Sequence, residues 1–91
     1  MKPYIIAFAL TLPEKKYKSF FLALDKLHAA KVLPNAFLVK TDRDIEEMRV
    51  ALLPYLQKAD GLVIAGVEGE VAIRNARCSE DMLQKLLSAA P

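Results

Sequence analysis

Tyr4-Ile5-Ile6-Ala7-Phe8-Ala9-Leu10 is the stretch on which the fold turns. Seven apolar residues in a row, ending shortly before Pro13, read as a strand covered on both faces rather than one with a wet side. Alternation makes the two faces unequal. Tyr4, Ile6, Phe8 and Leu10 form a bulky side that should carry helices, whereas Ile5, Ala7 and Ala9 form a small side that can accept a flat partner.

Outward from this strand, Glu14 to Ala30 has the pattern of an amphipathic helix. Tyr17, Phe20, Phe21, Leu24, Leu27 and His28 recur at helical spacing, with Lys15, Lys16, Lys18, Asp25 and Lys26 mostly on the other side. Val32-Leu33-Pro34-Asn35 is short for a strand, and Pro34 argues against one. Ala36 to Thr41 (AFLVKT) reads as a second solid strand. Asp42 or Asp44 can cap a second helix from about Ile45 to Lys58, with Ile45, Met48, Leu52, Leu53 and Leu56 as its stripe and Pro54 loosening one turn. Leu62 to Gly66 is a third strand. Glu68-Gly69 then suggests a turn into a half-buried edge strand, Val71 to Arg74. A last helix is expected from Ser79 to Ala89, with Met82, Leu83, Leu86 and Leu87 on its apolar side.

This order predicts one α+β domain over residues 1–91, an antiparallel sheet of ferredoxin-like type with helices on one face and an extra C-terminal helix. Apolar residues make up 54% of the chain, more than so small an interior needs, so some of that surface should form an interface. A twofold homodimer is the simplest form, with Ile5, Ala7 and Ala9 at the contact. The balance of 13 basic against 11 acidic residues is too mild to argue for nucleic acid by itself. A lone Cys78 rules out an intramolecular disulfide framework and suits a reducing cytoplasm. The run from Tyr4 to Leu10 is too short to span a membrane and lacks the features of a signal peptide.

The residues resemble a family in their order and spacing. Tyr4-Ile5-Ile6 leading to Leu10 and Pro13, the helix from Tyr17, and Phe37-Leu38-Val39-Lys40-Thr41 match. So do Ile45-Glu46-Glu47-Met48-Arg49, Leu52-Leu53-Pro54-Tyr55-Leu56 and Asp60-Gly61-Leu62-Val63-Ile64. The family is that of the small ferredoxin-fold CRISPR-associated endonucleases, the spacer-acquisition subunit. Its short bacterial SinR-like relatives of unknown function are closer still. The resemblance covers about Met1 to Arg74 and implies a sheet that dimerises through its open face. In the nuclease-type relatives an Asp near the end of the first strand is thought to hold a divalent metal. The matching position here is Ala9, whose methyl group cannot ligate Mg²⁺. The SinR-like relatives also carry aromatic residues where this chain has Ala29 and Ala30.

No residue set is read as catalytic, cofactor-binding or metal-ligating. His28 reads as a packed helix-end histidine beside the negative end of the dipole, and Cys78 as a plain residue before a helix. Asp42 and Asp44 are explained by capping. Glu68 and Glu70 are solvated turn charges without the composition of a phosphate loop. Lys15, Lys16 and Lys18 beside Tyr17 are the densest positive cluster and the candidate nucleic-acid contacts, with Arg74 and Arg77 a weaker pair. The expected function is therefore that of a non-catalytic dimeric protein binding a macromolecular partner. Two rivals stand beside it: a metal-dependent nuclease whose carboxylate has moved to Asp42 or Asp60, and a toxin–antitoxin or phage-borne regulatory component.

Overall fold

The computed structural model describes residues 1–68 together with Ala72 and Arg74. Along them run strand β1 (Lys2–Ala9), helix α1 (Lys18–Lys26), strands β2 (Ala30–Leu33) and β3 (Ala36–Thr41), helix α2 (Ile45–Leu52) and strand β4 (Gly61–Gly66). The strands form one antiparallel sheet in the order β2-β3-β1-β4. Over the described residues the protein is thus a small α+β chain with a four-stranded antiparallel sheet and two α-helices.

β1 lies between β3 and β4, as its unbroken apolar run requires, with Ile6 opposite Phe37 on one side and Ile64 on the other. The bulky face of β1 meets the helices. Ile6 and Phe8 are buried with Phe20 and Leu24 of α1, Met48 and Leu52 of α2, and Phe37 and Val39 of β3. Full burial of each such side chain contributes on the order of 1.5–3 kcal/mol. Phe8 is the hub of the rings, edge-on to Phe20 at 5.0 Å and to Phe21 at 5.9 Å. Edge-to-face pairs of this kind add to the value of their buried area.

The first helix is shorter than its apolar periodicity suggests. Glu14–Tyr17 form a 3-10 turn, and α1 closes at Lys26 with Leu27 as cap. His28 then adopts φ 60°, the left-handed region usually left to glycine. Its N–H donates to the Asp25 carbonyl at 2.9 Å, and the Ala29 N–H donates to the Leu24 carbonyl at 3.1 Å. These two bonds close a Schellman motif, so His28 is an exposed exit residue and not part of the packed stripe. The early exit frees Ala30–Leu33 to be a strand, and Pro34-Asn35 becomes the two-residue turn into β3. Pro34 therefore shapes a turn, where its fixed φ helps, and just before it the β2–β3 register shifts between Lys31 and Leu33.

α2 starts with a full capping box. Asp44 accepts from the Glu47 N–H at 2.8 Å, while Glu47 accepts from the Asp44 N–H at 3.3 Å. Pro54 lacks an N–H and cannot extend an α-helix, so the chain tightens into a 3-10 turn at Leu53–Tyr55 and goes no further. The change of period takes Leu53 off the stripe, and Ile45 sits at the first helical position on the rim; both are exposed. Of the expected strand Val71 to Arg74 only Ala72 and Arg74 are described, and neither is in a strand: Ala72 is in no regular element and Arg74 is in a bend. The helix Ser79 to Ala89 lies outside the described residues, as do Arg77 and Cys78.

Candidate functional site

On the face that no helix of the described residues covers, called here the helix-free face, Ile5 has Leu38 and Ala65 as cross-strand partners, Ala7 has Ala36 and Val63, and Ala9 has Gly61. This face is divided. Towards β2, Val32, Ala36 and Leu38 are buried with Ile5 and Val67 against them. An apolar cavity of about 180 Å³ opens there between Ile5, Leu33, Leu38, Val67 and Arg74. Towards β4 the surface is open: Ala9 is exposed and Val63 is 61% exposed. The three residues expected at a dimer contact therefore share one face and grade from half-buried Ile5 and Ala7 to exposed Ala9.

At the Ala9 end of the sheet sits a polar network that sequence reading did not find. Asp60 immediately precedes Gly61, the partner of Ala9. Its carboxylate accepts from the Thr11 hydroxyl at 2.7 Å and the Thr11 N–H at 2.8 Å. The Tyr17 hydroxyl donates to both of its oxygens, at 2.9 and 2.8 Å, and the Gln57 N–H donates to Oδ2 at 2.6 Å. Partial desolvation alone would raise this carboxyl. The hydrogen bonds from the Thr11 hydroxyl, the Gln57 and Thr11 N–H groups and the Tyr17 hydroxyl outweigh it and hold the group down at about 2. A carboxylate offers about four lone-pair sites, and protein donors occupy them here. Tyr17, read from its spacing as the start of an apolar stripe, is indeed buried. Its hydroxyl is a strut, which also accepts from the Leu12 N–H at 3.3 Å.

Asp42, the other carboxylate considered as a metal ligand, pairs with the terminal amine of Met1 at 3.0 Å and is well exposed. It follows Thr41, the partner of Lys2, at the opposite end of β1. The length of β1 separates it from Asp60, roughly 23 Å at 3.3 Å per residue. Capping falls to Asp44 alone. Among the described residues no three of His, Cys, Asp and Glu gather as a metal site would require.

Lys15, Lys16 and Lys18 are all exposed, the first two on the 3-10 turn and the third opening α1. Lys18 borders a hollow with Phe21, Leu22, Asp25 and Phe37. Arg74 lines the cavity on the other side of the sheet, so the two basic groups do not join. Among the described residues no helix is long and apolar enough to cross a membrane.

The four-stranded α+β arrangement has a solved counterpart. The chain is similar in structure to the hypothetical protein TT1823 from Thermus thermophilus, with a TM-score of 0.66 over 80% of this chain and 89% of that one, at 20% sequence identity. No protein-family model and no curated protein matches the sequence.

Proposed function

We propose that this protein is a non-catalytic, ferredoxin-like homodimer that acts by binding a macromolecular partner in the cytoplasm, as the resemblance to the CRISPR-associated and SinR-like chains implies. The strand order β2-β3-β1-β4, with one helix after β1 and one after β3, supports the ferredoxin-like reading. The observation that carries the dimer is the open half of the helix-free face. Val63 is largely exposed beside Ala7 and Ala9, with only small neighbours to keep a flat partner away. The non-catalytic reading is favoured by the methyl group at Ala9 and by the engagement of Asp60 with Thr11, Tyr17 and Gln57.

Two measurements test it. Sedimentation at micromolar concentration should give twice the chain mass, and a pure monomer would remove the dimer. Incubation with DNA or RNA and Mg²⁺ or Mn²⁺ should leave the nucleic acid intact. Cleavage that is lost in Asp42→Ala or Asp60→Ala would establish the relocated-carboxylate nuclease instead.

A further inference from the structure

The two edges of the sheet are built differently. β2 is four residues long, carries Lys31, shifts register with β3 between Lys31 and Leu33, and runs straight into Pro34. Shortness, a lysine, a bulge and a proline are the usual guards that keep an edge from pairing further. β4 has none of these. Gly61-Leu62-Val63-Ile64-Ala65-Gly66 holds no charge and no proline, and its register with β1 is unbroken from end to end.

The phase of the β4 hydrogen bonds is fixed by Val67, whose N–H donates to the Pro3 carbonyl at 3.0 Å. In an antiparallel ladder the residues that bond to a given neighbour alternate. Ala65, Val63 and Gly61 therefore turn their N–H and C=O groups to β1, opposite Ile5, Ala7 and Ala9. Leu62, Ile64 and Gly66 turn theirs away from it, and no strand of the described residues lies on that side. Neither Ala72 nor Arg74 fills the place. Both line the small cavity with Leu33 and Leu38. A strand laid outside β4 would instead run about 14 Å from β3, three spacings of about 4.8 Å.

We propose that the outer edge of β4 is where the macromolecular partner docks, and that the occupant is an extended, uncharged segment of another protein, added to the sheet as a further strand. The inference rests on the partner-binding reading above and gives that partner its conformation. The outward N–H and C=O groups of Leu62, Ile64 and Gly66 stand in a row at strand spacing. Only a second extended backbone repeats the complementary groups at that spacing. The side chains specify the rest. Leu62 and Ile64 are half-buried on the helix side, and Val63 is largely exposed on the other side between Gly61 and Ala65. An added strand therefore meets apolar neighbours on both faces, where an ionised side chain would lose water without gaining a partner. A nucleic-acid strand finds no cation along these six residues and no ring to stack on.

The test uses a short, labelled, end-capped peptide of alternating Val and Thr, a copy N-methylated at consecutive central residues, and a short single-stranded oligonucleotide. In fluorescence anisotropy the unmodified peptide should bind saturably. The methylated copy, which has lost donors on both of its edges, should bind about tenfold more weakly or worse. Amide hydrogen exchange reads the site without any variant. The peptide should slow Leu62, Ile64 and Gly66 and leave Val63 and Ala65, already bonded to β1, unchanged. Gly66→Pro removes one outward N–H at a position where an added Cβ meets only the Tyr4 ring, at 3.9 Å, and should also weaken the peptide. Equal binding of both peptides, slowing without that alternation, normal binding by a folded Gly66→Pro chain, or capture of the oligonucleotide alone overturns the proposal. So does slow exchange of Leu62, Ile64 and Gly66 before peptide is added, since the edge is then already filled by this chain or a second copy. Sedimentation of the same samples separates the two claims. A monomer that still binds the peptide removes the dimer and leaves the edge standing; a dimer that ignores the peptide removes the edge alone.

Discussion

The two faces of β1 carry consecutive residues of one apolar run and yet do different work. Tyr4, Ile6, Phe8 and Leu10 are large, and Ile6 and Phe8 disappear among the rings and aliphatic chains of two helices. Ile5, Ala7 and Ala9 are mostly small and end in open surface beside Val63. Hydrophobicity is alike on both sides; side-chain volume is what differs. Volume on the helix side fills the space between sheet and helices, at the density a core requires. Smallness on the other side keeps the surface flat, so that a second flat surface could approach closely.

The largest expected effect breaks or confirms this contrast directly. Phe8→Ala should cost about 3–5 kcal/mol in chemical denaturation, because it empties the centre of the ring cluster. Val63→Ser, measured where the chain is monomeric, should cost about 0.5 kcal/mol or less. Similar losses at the two positions would show that the helix-free face is a core surface as well.

Ala7→Asp comes next. A carboxylate placed between Ala36 and Val63 cannot be covered by a second apolar face without a large desolvation cost. Sedimentation should move from dimer to monomer while circular dichroism stays unchanged. A dimer that survives this change uses another surface.

Tyr17→Phe removes a buried hydroxyl that donates to a charged group, for a loss of about 1–2 kcal/mol. It also tests the sign of the pH dependence at Asp60. With its carboxyl held at about 2 against an ordinary 3.8, Asp60 stabilises the fold fully above about pH 4. That contribution is lost as the pH falls from there through 2. In Tyr17→Phe the carboxyl should titrate closer to 3.8, visible in the Asp60 carboxyl carbon by NMR, and the acid loss of Tm should be shallower.

The smallest effect on the fold is expected from replacing Lys15, Lys16 and Lys18 together by Glu. The formal charge moves from +2 to −4, yet all three side chains are exposed, so each substitution should change stability by no more than about 0.5 kcal/mol. Urea titration checks this, and anisotropy at two salt concentrations shows whether the cluster binds nucleic acid.

Features set by local chemistry were legible in the sequence. The alternation of β1 separates the two faces, Ala36 to Thr41 has the bounds read from its apolar run, and an acid caps α2. Features set by contacts distant in the chain were not. His28 has a helical position by spacing, but the chain must turn after Leu27 for Ala30–Leu33 to reach the edge of β3. The Tyr17–Asp60 contact joins residues 43 apart, and nothing in either neighbourhood announces the other.

The Asp60 carboxylate binds two loop amides, those of Thr11 and Gln57, neither of which belongs to a strand or helix. Loop amides ordinarily exchange with solvent deuterium at nearly unprotected rates. These two should instead exchange slowly and together, at a rate set by the opening of one side chain. Asp60→Asn, which keeps an acceptor oxygen but loses the charge and the second acceptor, should accelerate both amides while leaving those of β1 and β3 unchanged. The end of the sheet would then be a small cooperative unit, fastened by an aspartate where the ladder has already stopped.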